Sequence, residues 1–217
     1  MTPARSPLRV VLLAVIAVGL LLIGGGGAVA LGLGRGEPAP TGDSVAAGFS
    51  RDMSEHHLQG VEMANLALER STDPEVRQLA FDIAETQQNQ VGRMQGWLAL
   101  WGLPPTAGET MAWMASAGGH AGHDPAATDG GLMPGMATEA ELAQLRSLSG
   151  TEFDTEFLRL MIRHHQGGRE MAEHAAEHAA VPAVAGLAGT IAETQTAEVT
   201  TMERMLTARG GTPLPAP

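Results

Sequence analysis

Between Asp43 and Trp101 apolar residues recur three and four positions apart, and Pro74 is the only strong breaker. That period predicts two amphipathic helices, at about 43–70 and 74–101. "STDPEV" forms their junction, with Asp73 placed to cap the second helix and Pro74 in its first turn, where a missing N–H costs nothing. The period stops at residue 102. "GLPPTAGETMAWMASAGGHAGHDPAATDGGLMPGMA", residues 102–137, is rich in Gly, Pro and Ala and predicts a long irregular loop. Thr138 and Glu141 then stand in capping-box spacing at the head of a short helix, and Ser149 with Glu152 repeats the spacing. Two more long helices follow, at about 151–180 and 182–208, with Pro182 at their junction.

The second pair of helices copies the first. An offset of 108 pairs His56 with His164, and with no gap it also pairs Phe49/Phe157, Met53/Met161, Met63/Met171, Pro74/Pro182, Ile83/Ile191, Met94/Met202 and Leu98/Leu206. Of the 54 positions aligned, 49–102 against 157–210, 24 are identical, including "IAETQ" in both copies, so a helical hairpin has been duplicated. Each amphipathic hairpin must bury its apolar face, which predicts an all-α fold: a four-helix bundle over 43–208. The repeats occupy 43–102 and 150–208, a loop over 103–149 joins them, and 209–217 is a tail.

At 100° per residue, Met161, His164, His165, Gly168, Met171 and Ala172 fall within an arc of about 120°, the width of a core-facing stripe. Met53, His56, His57, Gly60, Met63 and Ala64 repeat it. On the partner helices Gln195 and Glu198 share a face with Ile191 and Met202, as Gln87 and Gln90 do with Ile83 and Met94. Buried imidazoles without partners would cost a few kcal/mol each. Two readings stay open. The histidines hydrogen-bond to Gln and Glu while the methionines fill gaps, or His56, His57, Met53, Met63, His164, His165, Met161 and Met171 hold a metal, with Gln195 and Glu198 nearby.

Composition narrows the choice of metal. The chain has no Cys and no Tyr, which removes disulfides, thiolate clusters, thiol nucleophiles and tyrosyl radicals. Thioether plus imidazole without thiolate suits copper, as Cu(I) or Cu(II). A di-iron oxidase would place Glu three residues before His on two helices. No histidine in this chain has that glutamate. No nucleophile–base pair or matched carboxylate set is visible either, so an enzyme ranks third, behind a copper-binding protein and a non-catalytic bundle.

Charge and the N-terminus set the compartment. All 13 basic residues are Arg; Arg5, Arg9 and Arg35 flank the N-terminal apolar run, leaving 10 against 24 acidic residues, a remainder of −14. That sign argues against a nucleic-acid partner. Residues 10–34 carry no charge and are long enough to span a bilayer, with Arg5 and Arg9 kept inside. Residues 1–34 thus predict a signal anchor or transmembrane helix, followed by a linker at 35–42. The domain is expected outside the cytoplasm, membrane-anchored, or secreted if the segment is cleaved at "AVA", 28–30.

Two subsidiary clusters lie outside the duplicated stripes. His174 and His178, one helical turn apart, could chelate an ion, but their repeat-one counterparts are Leu66 and Arg70, so solvated histidines on an acidic face is the favoured reading. In the loop, His120 and His123 with Met111, Met114, Met133 and Met136 suit a soft metal, or else the methionines dock on the bundle.

The segment "MPGMATEAELAQLRSLSGTEFDTEFLRLMIRHHQGGREMA", 133–172, resembles the signature of the bacterial family called domain of unknown function 305, and the match extends through both repeats. The resemblance implies a ferritin-like four-helix bundle, export, and in some members an association with copper binding and resistance. Its HH-x-x-(A/G)-x-x-MA motif falls on Met161, His164, His165 and Met171, and on Met53, His56, His57 and Met63. Two departures stand out: Gly168 and Gly60 occupy a position often held by alanine, and Gln59 in one copy faces Gly167 in the other. The expected function is copper buffering, resistance or transfer.

Overall fold

Polar caps set where the helices begin. In the computed structural model, which describes residues 38–115 and 132–217, α1 (Val45–Arg70) starts behind Ser44, whose hydroxyl accepts from the Ala47 N–H at 3.2 Å. α2 (Pro74–Leu100) starts at Asp73, whose carboxylate accepts from the N–H groups of Glu75 and Val76, with Pro74 in the first turn. A single turn, α3 (Ala112–Ala115), lies in what the sequence predicts as loop. α4 (Glu139–Ser147) opens with the complete Thr138–Glu141 capping box. The long helices α5 (Gly150–His178) and α6 (Pro182–Ala208) complete the order. The second capping box does not form. Ser149 is the cap residue but makes no side-chain cap bond, and the next residue, Gly150, lies at φ +58°, which turns the chain away from helical geometry at that point.

All secondary structure among the described residues is helical. α1 packs on α2, α5 on α6, and the two hairpins meet chiefly through α1 and α5. Glycine permits the meeting. A Cβ on Gly168 would stand 2.9 Å from the His56 ring, and a Cβ on Gly60 would stand 3.1 Å from the His164 ring. Residue 56 thus lies beside 168 and 60 beside 164, an antiparallel crossing in which each hairpin uses the same residues on the other.

Two apolar clusters lie on either side of this crossing. One contains Met63, Val76, Ile83, Phe157, Met161 and Met202. The other contains Phe49, Met53, Met94, Met171, Val184 and Ile191. Each of these six residues in one is the duplication partner of one of the six in the other, so the repeat is expressed in space as two equivalent halves. No helix among the described residues is long and apolar enough to cross a membrane, and the expected anchor at 1–34 lies outside them.

Candidate metal centre

The layer between the two clusters is polar. His56, His57, His164 and His165 are all fully buried, with Gln87, Gln90 and Gln195 also buried around them. Each imidazole spends one nitrogen on an acceptor. His57 Nε2–H donates to Gln90 Oε1 at 2.7 Å, and His165 Nε2–H donates to Glu198 Oε2 at 2.9 Å. His56 Nε2–H donates to the Pro134 carbonyl at 3.1 Å, and His164 Nε2–H to the His56 carbonyl at 3.0 Å. The His56 and His164 rings lie face to face, with centroids 3.8 Å apart and planes 34° apart.

These acceptors fix the tautomer. With hydrogen on Nε2, each neutral ring keeps its lone pair on Nδ1. All four Nδ1 atoms are buried without a hydrogen-bond partner, and so are both polar ends of Gln87 and Gln195. Burial pushes His56 down to about 4 and His57 to about 3. His164 is driven well down by burial and by the neighbouring imidazoles. Neutral rings with one N–H anchored and the other nitrogen bare are the form in which histidine ligates metals, and the anchoring acceptor is the usual outer partner of such a ligand.

Met53, Met63, Met161 and Met171 are fully buried too. Met53 and Met171 belong to one apolar cluster and Met63 and Met161 to the other, so one thioether pair stands on each side of the histidine layer. Donor chemistry therefore fits a soft or borderline ion. The predicted set does not close into a cage of histidines and carboxylates: among the described residues, no group of three His, Cys, Asp or Glu side chains could hold a metal ion. Of the two outer candidates, Glu198 bonds to His165, whereas the Gln195 amide lies against Gly168 and makes no hydrogen bond.

The subsidiary candidates divide. Met133 is buried in the second cluster, and Met111, Met114 and Met136 pack against it, so the described loop methionines dock on the helices. His120 and His123 lie outside the described residues. His174 and His178 are half-buried rather than solvated, with rings stacked at 4.3 Å.

Sequence reasoning missed the segment that crosses the site. Pro134 and Gly135 pass directly over Gly167, where a Cβ would collide with the Pro134 carbonyl and stand 2.7 Å from the Gly135 nitrogen. At the matching position of repeat one, Gln59 binds the same segment from the other side. Its Nε2 donates to the Ala137 carbonyl at 2.9 Å and its Oε1 accepts from the Ala137 N–H at 2.7 Å. The Gln59/Gly167 difference was the available signal. Arg163 then holds α4 through both carboxylate oxygens of Glu141 at 2.9 and 2.7 Å, which keeps that carboxyl down at about 2.

An all-helical chain of two duplicated hairpins around a buried imidazole layer is the class that fold and site define. The chain belongs to the DUF305 family, a domain of unknown function, whose model matches residues 46–206. Among solved structures it is similar to a DUF305 protein of Streptomyces coelicolor described as secreted, at 42% identity over 80% of this chain and 99% of that one, with a TM-score of 0.72. A DUF305 fragment from Deinococcus radiodurans is 36% identical over 79% and 99% of the two chains, TM-score 0.63. CopM in its Cu(II)-bound form is 28% identical over 76% and 97%, TM-score 0.56. No curated protein gives a significant match.

Proposed function

We propose that this protein is an extracytoplasmic copper-binding member of its family, a closed ferritin-like four-helix bundle that buffers the metal or hands it on. The observation that carries the proposal is the set of four buried Nδ1 lone pairs without partners. Buried polar atoms left unpaired cost roughly 1–3 kcal/mol each, and an ion removes that cost. His56, His57, His164 and His165 would hold it, with Met53, Met171, Met63 and Met161 as soft donors on either side. Copper is cargo here, and thioether with imidazole serves both of its oxidation states. The copper-bound structures of CopM, a relative, support the reading. Location outside the cytoplasm draws on the apolar N-terminal segment and on the description of the Streptomyces relative as a secreted protein.

Anaerobic Cu(I) titration and aerobic Cu(II) titration of the full chain test it. Binding tighter than about micromolar is expected, lost in His164→Ala/His165→Ala. Weaker binding, or no change in that variant, overturns it. A specific observation favours a second reading: among the described residues no group of three histidines or carboxylates is placed so that it could hold a metal ion. If the layer serves only to specify the core, copper leaves the melting temperature unchanged. The anchor is tested by alkaline extraction of membranes: the chain should stay in the pellet.

A further inference from the structure

The two ends of the bundle differ in charge, and the chain enters at the uncharged one. Arg51 pins the entry point: its Nε–H donates to the Pro104 carbonyl at 3.0 Å and its Nη1–H to the Gly42 carbonyl at 2.6 Å, which brings the start of α1 beside the chain that leaves α2. Val45, Trp97, Trp101, Ala179 and Val181 pack on one apolar cluster, so the α5–α6 turn lies at this end too. No charged residue occurs from Met94 to Gly108 or from Ala179 to Ala192. Leu100 is 83% exposed, Trp97 and Trp101 are half-buried, and the Arg93 guanidinium lies over the Trp97 ring at 5.5 Å.

The duplication supplies an internal control. At the offset of 108, Leu100 and Trp101 correspond to Ala208 and Arg209, and Glu75, Arg77 and Asp82 to Ala183, Ala185 and Thr190. Because α1 and α5 cross antiparallel, matching positions stand at opposite ends: Arg209 pairs with Asp73 and Glu75 at the far one. None of these positions is buried, so core packing does not dictate why one end carries the charges and the other Trp, Leu and Ala. An exposed apolar end of this kind marks a contact. Chain length identifies what it meets. Eight residues, 35–42, join the uncharged run 10–34 to this end, a reach of at most about 29 Å. The 27 residues of α2 rise about 40 Å, so the charged end lies beyond that reach. We propose that the uncharged end of the bundle rests on the lipid bilayer that residues 10–34 cross, with Trp97, Leu100 and Trp101 in the interface, where indoles concentrate. Exposed Asp43, Glu109 and Glu177 flank the patch and favour a neutral over an anionic lipid surface. This docking rests on the membrane anchoring proposed above.

Tryptophan emission tests it, because all three tryptophans lie in the bundle and none in residues 1–34. The full chain is reconstituted in phosphatidylcholine vesicles with ordinary or brominated acyl chains, whose bromine quenches an indole only on contact. The chain should float with both, and its emission should be roughly halved in the brominated vesicles, since two of the three indoles meet lipid. Ala183→Glu/Ala185→Arg writes in the residues that copy one carries as Glu75 and Arg77 and leaves every tryptophan in place. Leu100→Ala/Trp101→Arg writes in the residues that copy two carries as Ala208 and Arg209 and leaves Trp97 to report. Both variants should float, keep their helical circular dichroism and lose most of the quench. Flotation of the parent without quenching, or an unchanged quench in both variants, overturns the docking and leaves the anchor standing. Failure to float overturns the anchor and the docking with it. Emission that is unquenched but shifts to the blue as the protein is concentrated assigns the face to a second copy of the chain and overturns the lipid contact.

Discussion

Single atoms decide how the histidine layer behaves. His56 and His57 are neutral in the folded chain and ordinary in the unfolded one, where the imidazole value is 6.5. Between the folded and unfolded values the unfolded chain binds more protons, so stability rises with pH there. The contribution is whole above about 6.5 and is lost as pH falls toward about 4 for His56 and about 3 for His57. At about 1.4 kcal/mol per pKa unit, each ring is worth a few kcal/mol. The urea midpoint of metal-free protein should therefore drop between about pH 7.5 and 4.5, and His57→Gln should flatten the drop; an equal slope in that variant would refute the assignment. Glu198→Gln asks a different question. It gives repeat two the amide that repeat one has at Gln90, keeping an acceptor for His165 while removing the charge that makes the ring a stronger ligand. The fold should survive, and copper affinity should fall roughly tenfold or more. At this scale the sequence is legible for what the repeat preserves: the inward histidines, the flanking methionines and a side-chain acceptor, Gln90 in one copy and Glu198 in the other. It is silent on the tautomers, because two of the four acceptors, the Pro134 and His56 carbonyls, are backbone groups that any residue could supply.

Elements that lack a period escaped sequence reading, yet they close the site. The chain after α2 is strapped to α1 through Asp52, whose Oδ2 accepts from the Met111 N–H and the Trp113 Nε1–H, both at 2.7 Å. Trp113 then meets Phe49 edge to face at 5.8 Å over the cluster that contains Met53 and Met171. Burial raises the Asp52 carboxyl, and those two donors oppose it. Asp52→Ala leaves both donors without their acceptor and should cost about 2–3 kcal/mol. A melting temperature several degrees lower and a red-shifted Trp113 emission are expected; emission unchanged would mean that the strap is held by packing alone. The second crossing segment depends on two glycines. Gly135 adopts φ +79°, where its own Cβ would strike the Arg163 carbonyl, and Gly167 leaves room for the Pro134 carbonyl. Gly167→Ala forces backbone to move and should destabilise by about 1–3 kcal/mol. Gly60→Ala meets mainly the end of the Gln87 side chain, which can turn aside, so its penalty should be the smaller of the two in thermal melts. Neither segment has an amphipathic repeat to announce it, and much of what fixes each one is its own backbone groups, the Met111 N–H in the first and the Pro134 and Ala137 carbonyls in the second, which carry no sequence signature.

The duplication was readable as an offset, but its physical meaning lies in how the halves interlock. Each apolar cluster draws on all four long helices: Met63, Ile83, Phe157 and Met202 in one, Phe49, Met94, Met171 and Ile191 in the other. A hairpin alone therefore owns half of each cluster and a complete version of neither. Its α1 or α5 face would expose Met and Phe side chains together with two bare imidazoles, a surface that water can solvate only at the expense of the apolar burial that holds the helices. Isolated amphipathic hairpins of this length keep little helix without such burial. Fragments covering residues 38–103 and 132–217 should accordingly show weak helical circular dichroism and no cooperative melt when separate. Mixed in equal amounts they should regain both, because Gly60 and Gly168 let the crossing close around the histidine layer without a covalent link. If the first fragment alone melts cooperatively as a monomer, the hairpin rather than the interlocked pair is the folding unit, and the buried histidines of each copy would have to be satisfied within one repeat.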